Sequence, residues 1–131
     1  MNDKAAHARA WLAKADSDLT AARRLLEHAG PYDAVCFHAQ QAAEKALKAL
    51  LAFADAPLPR THNLEDLQAQ CLSTMAADRL VDLRRLDLSE LTPFAVESRY
   101  DIEFWPDQAE ASAAVAVAAV VCALASRIVL E

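Results

Sequence analysis

Glycine is almost absent from this chain: Gly30 is the one glycine among 131 residues, and there are five prolines. A β-sandwich or barrel needs many glycine-bearing turns and β-branched residues, whereas the 31 alanines and 18 leucines found here favour helices. A glycine-rich phosphate-binding loop is excluded too, because it needs several glycines in one tight stretch. With 55% hydrophobic residues, the composition predicts a folded, all-α protein.

Positive charge is also scarce, with 13 Lys and Arg against 19 Asp and Glu and a formal net charge of -6. Proteins that grip nucleic acid non-specifically are usually basic, so a nucleic-acid role needs a local cationic patch. Cys36, Cys71 and Cys122 are widely spaced, which excludes Cys-x-x-Cys sites, and no side-chain cluster has metal-ligand spacing. We expect buried free thiols, no metal, no cofactor and a cytoplasmic location.

Helical periodicity accounts for most of the chain. Apolar residues recur at steps of three and four, which predicts helices at about 3–28, 32–54, 64–75, 77–91 and 107–130. Gly30-Pro31 separates the first two helices, and Asn63 and Asp107 are expected N-caps. The stretch 94–106 has no helical period. We expect one domain over 1–131, an antiparallel up-and-down bundle of four long helices plus one short helix.

The last predicted helix contains an apolar run of 13 residues, from 113 to 125. A membrane-spanning helix needs about 20 residues, so we expect no membrane and interpret the run as a helix buried on several sides. Its apolarity on more than one face, together with exposed aromatics at Phe104 and Trp105, indicates contact with a second copy of the chain. We therefore expect a homodimer.

The second predicted helix has two distinct faces at 100° per residue. One face is small and apolar: Cys36, Ala39, Ala43, Ala46, Leu47 and Leu50. The opposite face combines an aromatic ring, an imidazole, an amide and three charges: Phe37, His38, Gln41, Glu44, Lys45 and Lys48. Two interpretations stay open. This polar stripe is a solvated face with a Glu44–Lys48 pair at i,i+4, or it lines a groove that binds a phosphate-bearing ligand.

The polar stripe belongs to a longer string. It runs Phe37-His-Ala-Gln-Gln-Ala-Ala-Glu-Lys-Ala-Leu-Lys-Ala-Leu-Leu51 and is followed by Pro59-Arg-Thr-His62-Asn-Leu, with Ser98-Arg99-Tyr100 downstream. This pattern resembles the HEPN domain family. The resemblance implies a helical bundle that forms homodimers. It also implies either a nucleotide-binding protein that acts with a minimal nucleotidyltransferase in a toxin–antitoxin-type system, or a metal-independent endoribonuclease toxin.

The family's ribonuclease motif is an arginine followed, after four to six residues, by a histidine. Arg99 matches the arginine by resemblance, but no histidine follows it in this chain. Metal-free RNA cleavage needs a base for the 2′-hydroxyl proton and a cation for the phosphorane charge. If the protein is an enzyme, Arg99 would supply that cation, and Tyr100 and His38 are the other candidate catalytic residues.

The missing histidine and the acidic net charge favour a binding groove over an active site. The predicted ligand-binding residues for a nucleotide or RNA phosphate are His38, Gln41, Glu44, Lys45, Lys48, His62, Arg99 and Tyr100, with Glu44 orienting the cations. Structural roles stay open for two of these positions. His62 could fix the start of the third helix, and Arg99 could pair with Glu44 or Glu97.

Overall fold

The structure, a computed structural model, describes residues 3–131 apart from the side chains of Ser98 and Arg99. Over this range the chain forms six α-helices, one 3₁₀ turn and no strand, which confirms the all-α prediction. The helices are α1 (Asp3–Glu27), α2 (Tyr32–Phe53), α3 (Leu64–Thr74), α4 (Val81–Arg84), α5 (Phe94–Tyr100) and α6 (Gln108–Leu130), and the 3₁₀ turn is Ala77–Arg79.

Helix α2 forms the centre of the bundle, because it packs against α1, α3, α5 and α6. The predicted apolar face of α2 is buried throughout, with Ala43 and Leu47 fully inaccessible to solvent. Alanines dominate the facing surfaces of the neighbours as well, such as Ala15 on α1 and Ala118 on α6. Small side chains allow the helix axes to approach closely, so α1, α2 and α6 form one tightly packed layer of core.

The turn between α1 and α2 depends on the single glycine. Gly30 has a φ of +96°, and a Cβ at this position would lie 2.7 Å from the backbone nitrogen of Tyr32. The Gly30 N–H donates to the carbonyl of Leu25 at 2.7 Å and closes the end of α1. Because the connection is so short, α1 and α2 are antiparallel neighbours. One face of α1 therefore lies along one face of α2.

The segment between α3 and α6 differs from the sequence prediction. A helix was expected over 77–91, but the structure has the 3₁₀ turn, the four-residue α4 and then turns. The Asp87 carboxylate accepts hydrogen bonds from the backbone and hydroxyl of Ser89, and such local side-chain bonds compete with helix formation. Leu83 and Leu88 are nevertheless buried, so the leucine spacing reflected burial and not a continuous helix.

The stretch expected to be irregular, 94–106, contains the short helix α5. Only Ala95 is buried among its described side chains, which is too little to produce a detectable helical period in the sequence. Phe104 was expected at the surface. It is half-buried instead and packs on Phe94, with 5.5 Å between the ring centroids. Trp105 is 75% exposed.

Helix α6 is long enough and apolar enough to cross a membrane by length and composition alone, with a mean hydropathy of 2.4 over its most apolar window. The apolar part of α6 is therefore longer than the 13-residue run identified in the sequence. Nine of its residues are buried inside the fold, and it packs against α1 and α2, so it is a core helix of the bundle. Asp107 and Glu110 form a capping box at its start, as their spacing predicts.

Candidate functional site

Two stripes of polar side chains face each other along α1 and α2. Each stripe follows steps of three and four residues, which place its members on one side of a helix. The stripe on α1 consists of His7, Trp11, Lys14 and Asp18, and the stripe on α2 consists of His38, Gln41, Lys45 and Lys48. Because the two helices are antiparallel, Asp18 meets His38 and Lys45, whereas Trp11 meets Lys48.

Asp18 holds one histidine and one lysine of α2. Its Oδ1 lies 2.8 Å from Nδ1 of His38, and its Oδ2 accepts a hydrogen bond from Nζ of Lys45. The Asp18 side chain is only 13% exposed, so water screens these contacts weakly. A carboxylate only accepts hydrogen bonds, so Nδ1 of His38 carries the hydrogen, and in the neutral ring Nε2 keeps a lone pair.

Glu44 holds a second histidine and a second lysine in the same way. Its Oε1 lies 2.8 Å from Nδ1 of His62, and its Oε2 accepts from Nζ of Lys48 at 3.2 Å. The buried amide of Gln40 donates to Glu44 Oε1 at 3.4 Å and to the His62 carbonyl at 3.1 Å, and Gln41 donates to Gln40 at 2.7 Å. Glu44 is 3% exposed, so the interpretation as a solvated face does not apply to it.

Sequence reasoning missed two members of this network. Asp18 shares the α1 stripe with Trp11 and Lys14, and that spacing was the available signal that it faces a neighbouring helix. Gln40 carries no such signal, because it adjoins the small apolar face of α2 and only its full burial reveals its role. Within the described part of the chain every buried side-chain nitrogen and oxygen has a hydrogen-bond partner, so the network is held in place before any ligand binds.

An open depression of about 390 Å³ adjoins the network. Its lining residues are His7, Ala10, Trp11, Lys14 and Lys45. The Lys48 ammonium lies 5.4 Å from the centroid of the Trp11 ring, within the range of a cation–π contact. The Trp11 indole N–H donates to Nε2 of His7 at 3.1 Å, which fixes the ring orientation. The depression therefore places an aromatic ring beside lysine ammonium groups.

Arg99 and Tyr100, two of the predicted ligand-binding residues, lie on α5. This helix packs against α2, the helix that carries most of the network. The Arg99 side chain lies outside the described residues. Tyr100 is 70% exposed, and its participation in ligand binding stays a prediction.

None of the three cysteines has the properties of a reactive thiol. Cys36 and Cys71 are buried, Cys122 is half-buried, and all three are free thiols. Burial raises the pKa of each thiol from 9.0 to about 12, so they are protonated and poorly nucleophilic at neutral pH. No group of three His, Cys, Asp or Glu side chains among the described residues is placed to hold a metal ion.

The fold and the network together define a class of protein: an all-helical bundle with histidine–carboxylate–lysine contacts between its first two helices. The family model of the HEPN domain matches residues 8–128, so the chain belongs to the HEPN domain family. The structure is similar to that of TT1696 from Thermus thermophilus, at 28% identity and a TM-score of 0.71, over 97% of this chain and 98% of that one.

A second solved structure is also similar. ST0689, described as an archaeal HEPN homologue, is 26% identical with a TM-score of 0.69, and the match covers 93% of this chain and 97% of that one. No match to a curated protein is found.

Proposed function

We propose that this HEPN protein is a dimeric module that binds nucleotide or RNA phosphate in the open depression between α1 and α2, which we call the groove. We further propose that it acts in the cytoplasm with a minimal nucleotidyltransferase, in a toxin–antitoxin-type system. One observation carries the binding proposal: Lys45 and Lys48 are half-buried and held by carboxylates, and Lys45 lines the open depression beside Trp11. Lysines fixed in this way bind an anion with little further loss of side-chain entropy.

The groove can attract an anion although the whole chain is acidic. Asp18 and Glu44 offset the charges of Lys45 and Lys48, and the exposed Lys14 adds a positive charge at the same depression. Carboxylates farther than roughly 8–10 Å are screened at physiological ionic strength. Lys45 and Lys48 are half-buried, so their charges act through a lower effective dielectric constant than those of exposed groups, and these local lysines outweigh distant surface acids.

The ring of Trp11 gives a reason to expect a nucleotide and not phosphate alone. Stacking of a base on an aromatic side chain contributes about 1–3 kcal/mol, and Trp11 lines the depression together with two lysines. A base on the indole would leave its phosphate within reach of Lys14 or Lys45. We therefore expect tighter binding of a nucleoside monophosphate than of inorganic phosphate.

Titration calorimetry with AMP, and with inorganic phosphate for comparison, tests this proposal. Lys14→Glu should weaken AMP binding by about tenfold, because it replaces an attractive charge with a repulsive one at the depression. Arg84→Glu is the matched control, since it changes the net charge equally but lies on α4, which contacts α3 and α6. Equal affinities for parent, Lys14→Glu and Arg84→Glu would contradict the groove. Arg99→Ala tests the remaining predicted cation in the same assay.

The outer face of α6 supports the homodimer. No charged residue occurs between Glu110 and Arg127, and the exposed positions of this stretch include Ala116, Val120 and Ala123. Sedimentation at micromolar concentration should give twice the 14.2 kDa chain mass, and Val120→Glu should shift it to monomer. A monomeric parent protein would refute the dimer.

Family membership supports the partner, because many HEPN proteins are encoded beside a minimal nucleotidyltransferase. Co-expression of this chain with a nucleotidyltransferase encoded next to its gene should give one complex in size-exclusion chromatography. Separate elution of the two proteins at micromolar concentration would contradict the partnership.

One observation favours a second function, a metal-independent endoribonuclease with an altered site. The Asp18 carboxylate orients His38 through Nδ1, which leaves the lone pair of Nε2 available to take a 2′-hydroxyl proton while the 2′-oxygen bonds to phosphorus. The 5′-oxygen leaves and takes up a proton from the resulting imidazolium or from water. Lys45 or Arg99 would stabilise the phosphorane charge. Cleavage of structured RNA that is lost in both His38→Ala and Arg99→Ala would favour this function over simple binding.

A further inference from the structure

The groove adjoins a smaller cavity at the start of α1, which we call the end cavity. Its volume is about 220 Å³, and its lining residues are Asp3, Lys4, His7, Ala52, Asp55 and Ala56. His7 lines the groove as well, together with Trp11 and Lys14. The groove and the end cavity therefore form one continuous trough along α1.

The two ends of this trough differ in charge. Lys14 and Lys45 line the groove, and none of the described residues that line it is acidic. The end cavity has two carboxylates, Asp3 and Asp55, and one lysine. Because carboxylates repel a phosphate and lysines attract it, the phosphate of a nucleotide binds at the groove. The part of the nucleotide that enters the end cavity is therefore an uncharged part.

The order of the residues along α1 determines which part this is. Lys14, Trp11 and His7 follow one another at steps of three and four residues, so they lie on one side of the helix and are about 4.5 and 6 Å apart along its axis. With the phosphate at Lys14 and the base on the Trp11 ring, the outer edge of the base points toward His7. The ribose lies between phosphate and base, so its hydroxyls stay on the groove side of Trp11.

The end cavity offers the base edge one hydrogen-bond donor and one acceptor. The Trp11 indole N–H donates to Nε2 of His7 at 3.1 Å, so in the neutral imidazole the hydrogen is on Nδ1, which can donate. The Asp55 carboxylate can only accept. Asp3 is the weaker acceptor of the two, because it lies in the first turn of α1, where the positive end of the helix dipole offsets its charge.

We propose that Asp55 and His7 select nucleotides whose base carries an amino group at its outer edge, namely adenine or cytosine. The amino group donates to the Asp55 carboxylate, and the neighbouring ring nitrogen accepts from Nδ1 of His7. Hypoxanthine and uracil carry an oxygen in place of the amino group, and the carboxylate repels that oxygen. The inference rests on the proposed nucleotide binding in the groove and adds a preference for the base.

Titration calorimetry with two matched pairs of nucleotides tests this preference on the full chain. AMP and IMP have the same phosphate and ribose and differ at the amino group, and CMP and UMP differ in the same way. AMP should bind about tenfold more tightly than IMP, and CMP about tenfold more tightly than UMP.

Two substitutions assign the preference to its residues. Asp55→Asn should reduce the preference in both pairs to less than about twofold, because an amide can donate to an oxygen as well as accept from an amino group. Asp55 has a φ of +57°, which asparagine also tolerates. His7→Phe keeps a ring but removes the donor, so it should weaken the binding of AMP and CMP by about threefold or more.

Asp33→Asn is the matched control for Asp55→Asn. It makes the same change of charge in the first turn of α2. Phe53, the last residue of α2, is 20 residues away, or about 30 Å along the helix axis. This variant should keep the tenfold preference of the parent for AMP and CMP.

The outcomes separate base selection from binding in the groove. Equal affinities of the parent within each pair, all tighter than that for inorganic phosphate, would refute the selection and leave the groove in place. A preference that persists in Asp55→Asn, or that is lost equally in Asp33→Asn, would refute the role of Asp55, and unchanged affinities in His7→Phe would refute that of His7. If no nucleotide binds more tightly than inorganic phosphate, both the selection and the nucleotide-binding groove are wrong.

Discussion

The contact between Glu44 and Lys48 offers a quantitative test of the buried network. Their charged atoms are 3.2 Å apart, and the side chains are 4% and 14% exposed. An exposed pair at this helical spacing would contribute about 0.3–0.5 kcal/mol. Removal of one partner from a buried pair costs about 3–5 kcal/mol, because the other charge is left without compensation. The burial of this pair therefore predicts a large loss of stability for either single substitution.

The surroundings of the pair place the expected cost at the lower end of that range. Without Glu44, Lys48 can turn its ammonium toward water, and Gln40 keeps its bond to the His62 carbonyl. Without Lys48, Glu44 keeps Gln40 and His62 as partners. We expect Glu44→Ala and Lys48→Met each to destabilise the fold by about 3 kcal/mol. The double variant should lose only about 4 kcal/mol, which corresponds to a coupling of about 2 kcal/mol between the two side chains.

Urea denaturation followed by far-UV circular dichroism measures this coupling in a double-mutant cycle. The chain provides a matched control in Asp82 and Arg127, an ion pair at 3.4 Å whose side chains are 58% and 52% exposed. Alanine substitutions there should show a coupling below about 0.5 kcal/mol. If the Glu44 and Lys48 substitutions are additive within about 0.5 kcal/mol, the pair is not desolvated and the described network is wrong.

Three further substitutions test local features. Gly30→Ala should lower the free energy of unfolding by about 1–3 kcal/mol, because φ is +96° and the new Cβ would lie 2.7 Å from Tyr32; an unchanged urea midpoint would contradict this. Asp107→Ala should cost about 1 kcal/mol by removing the cap on Glu110 N–H, and Asp107→Ser should restore most of it in the same assay. Burial raises the pKa of Cys71 from 9.0 to about 12 in the folded state, so the unfolded state loses this proton at a lower pH than the folded state does. The contribution of the neutral thiol to the free energy of unfolding is therefore complete below about pH 8 and is lost as the pH rises toward 12. Between pH 7 and pH 10 the urea midpoint should therefore fall less in Cys71→Ala than in the parent, and equal falls would refute the burial argument.

The long helices were predictable because their signals are local. Apolar spacing located α1, α2, α3 and α6 to within a residue or two, and the caps followed from side-chain chemistry. Asn63 accepts from Asp66 N–H at 2.9 Å, and Asp107 forms its capping box. The segment 77–106 was not predictable in this way. There the turn at Asp87 and the packing of α5 on α2 decide the conformation, and neither leaves a helical period in the sequence.

The candidate site was also predictable only in its local features. Helical geometry alone places His38, Gln41, Lys45 and Lys48 on one line, since their spacing fixes their direction around the helix axis. It also predicts the Glu44–Lys48 pair at i,i+4, but it says nothing about which carboxylate meets Lys45, because Asp18 is 27 residues away in the sequence. The burial of Gln40 and Glu44 likewise depends on how closely α1 and the loop at His62 pack against α2. Direction around a helix is a property of neighbouring residues, whereas depth and partners depend on helices that are distant in the chain.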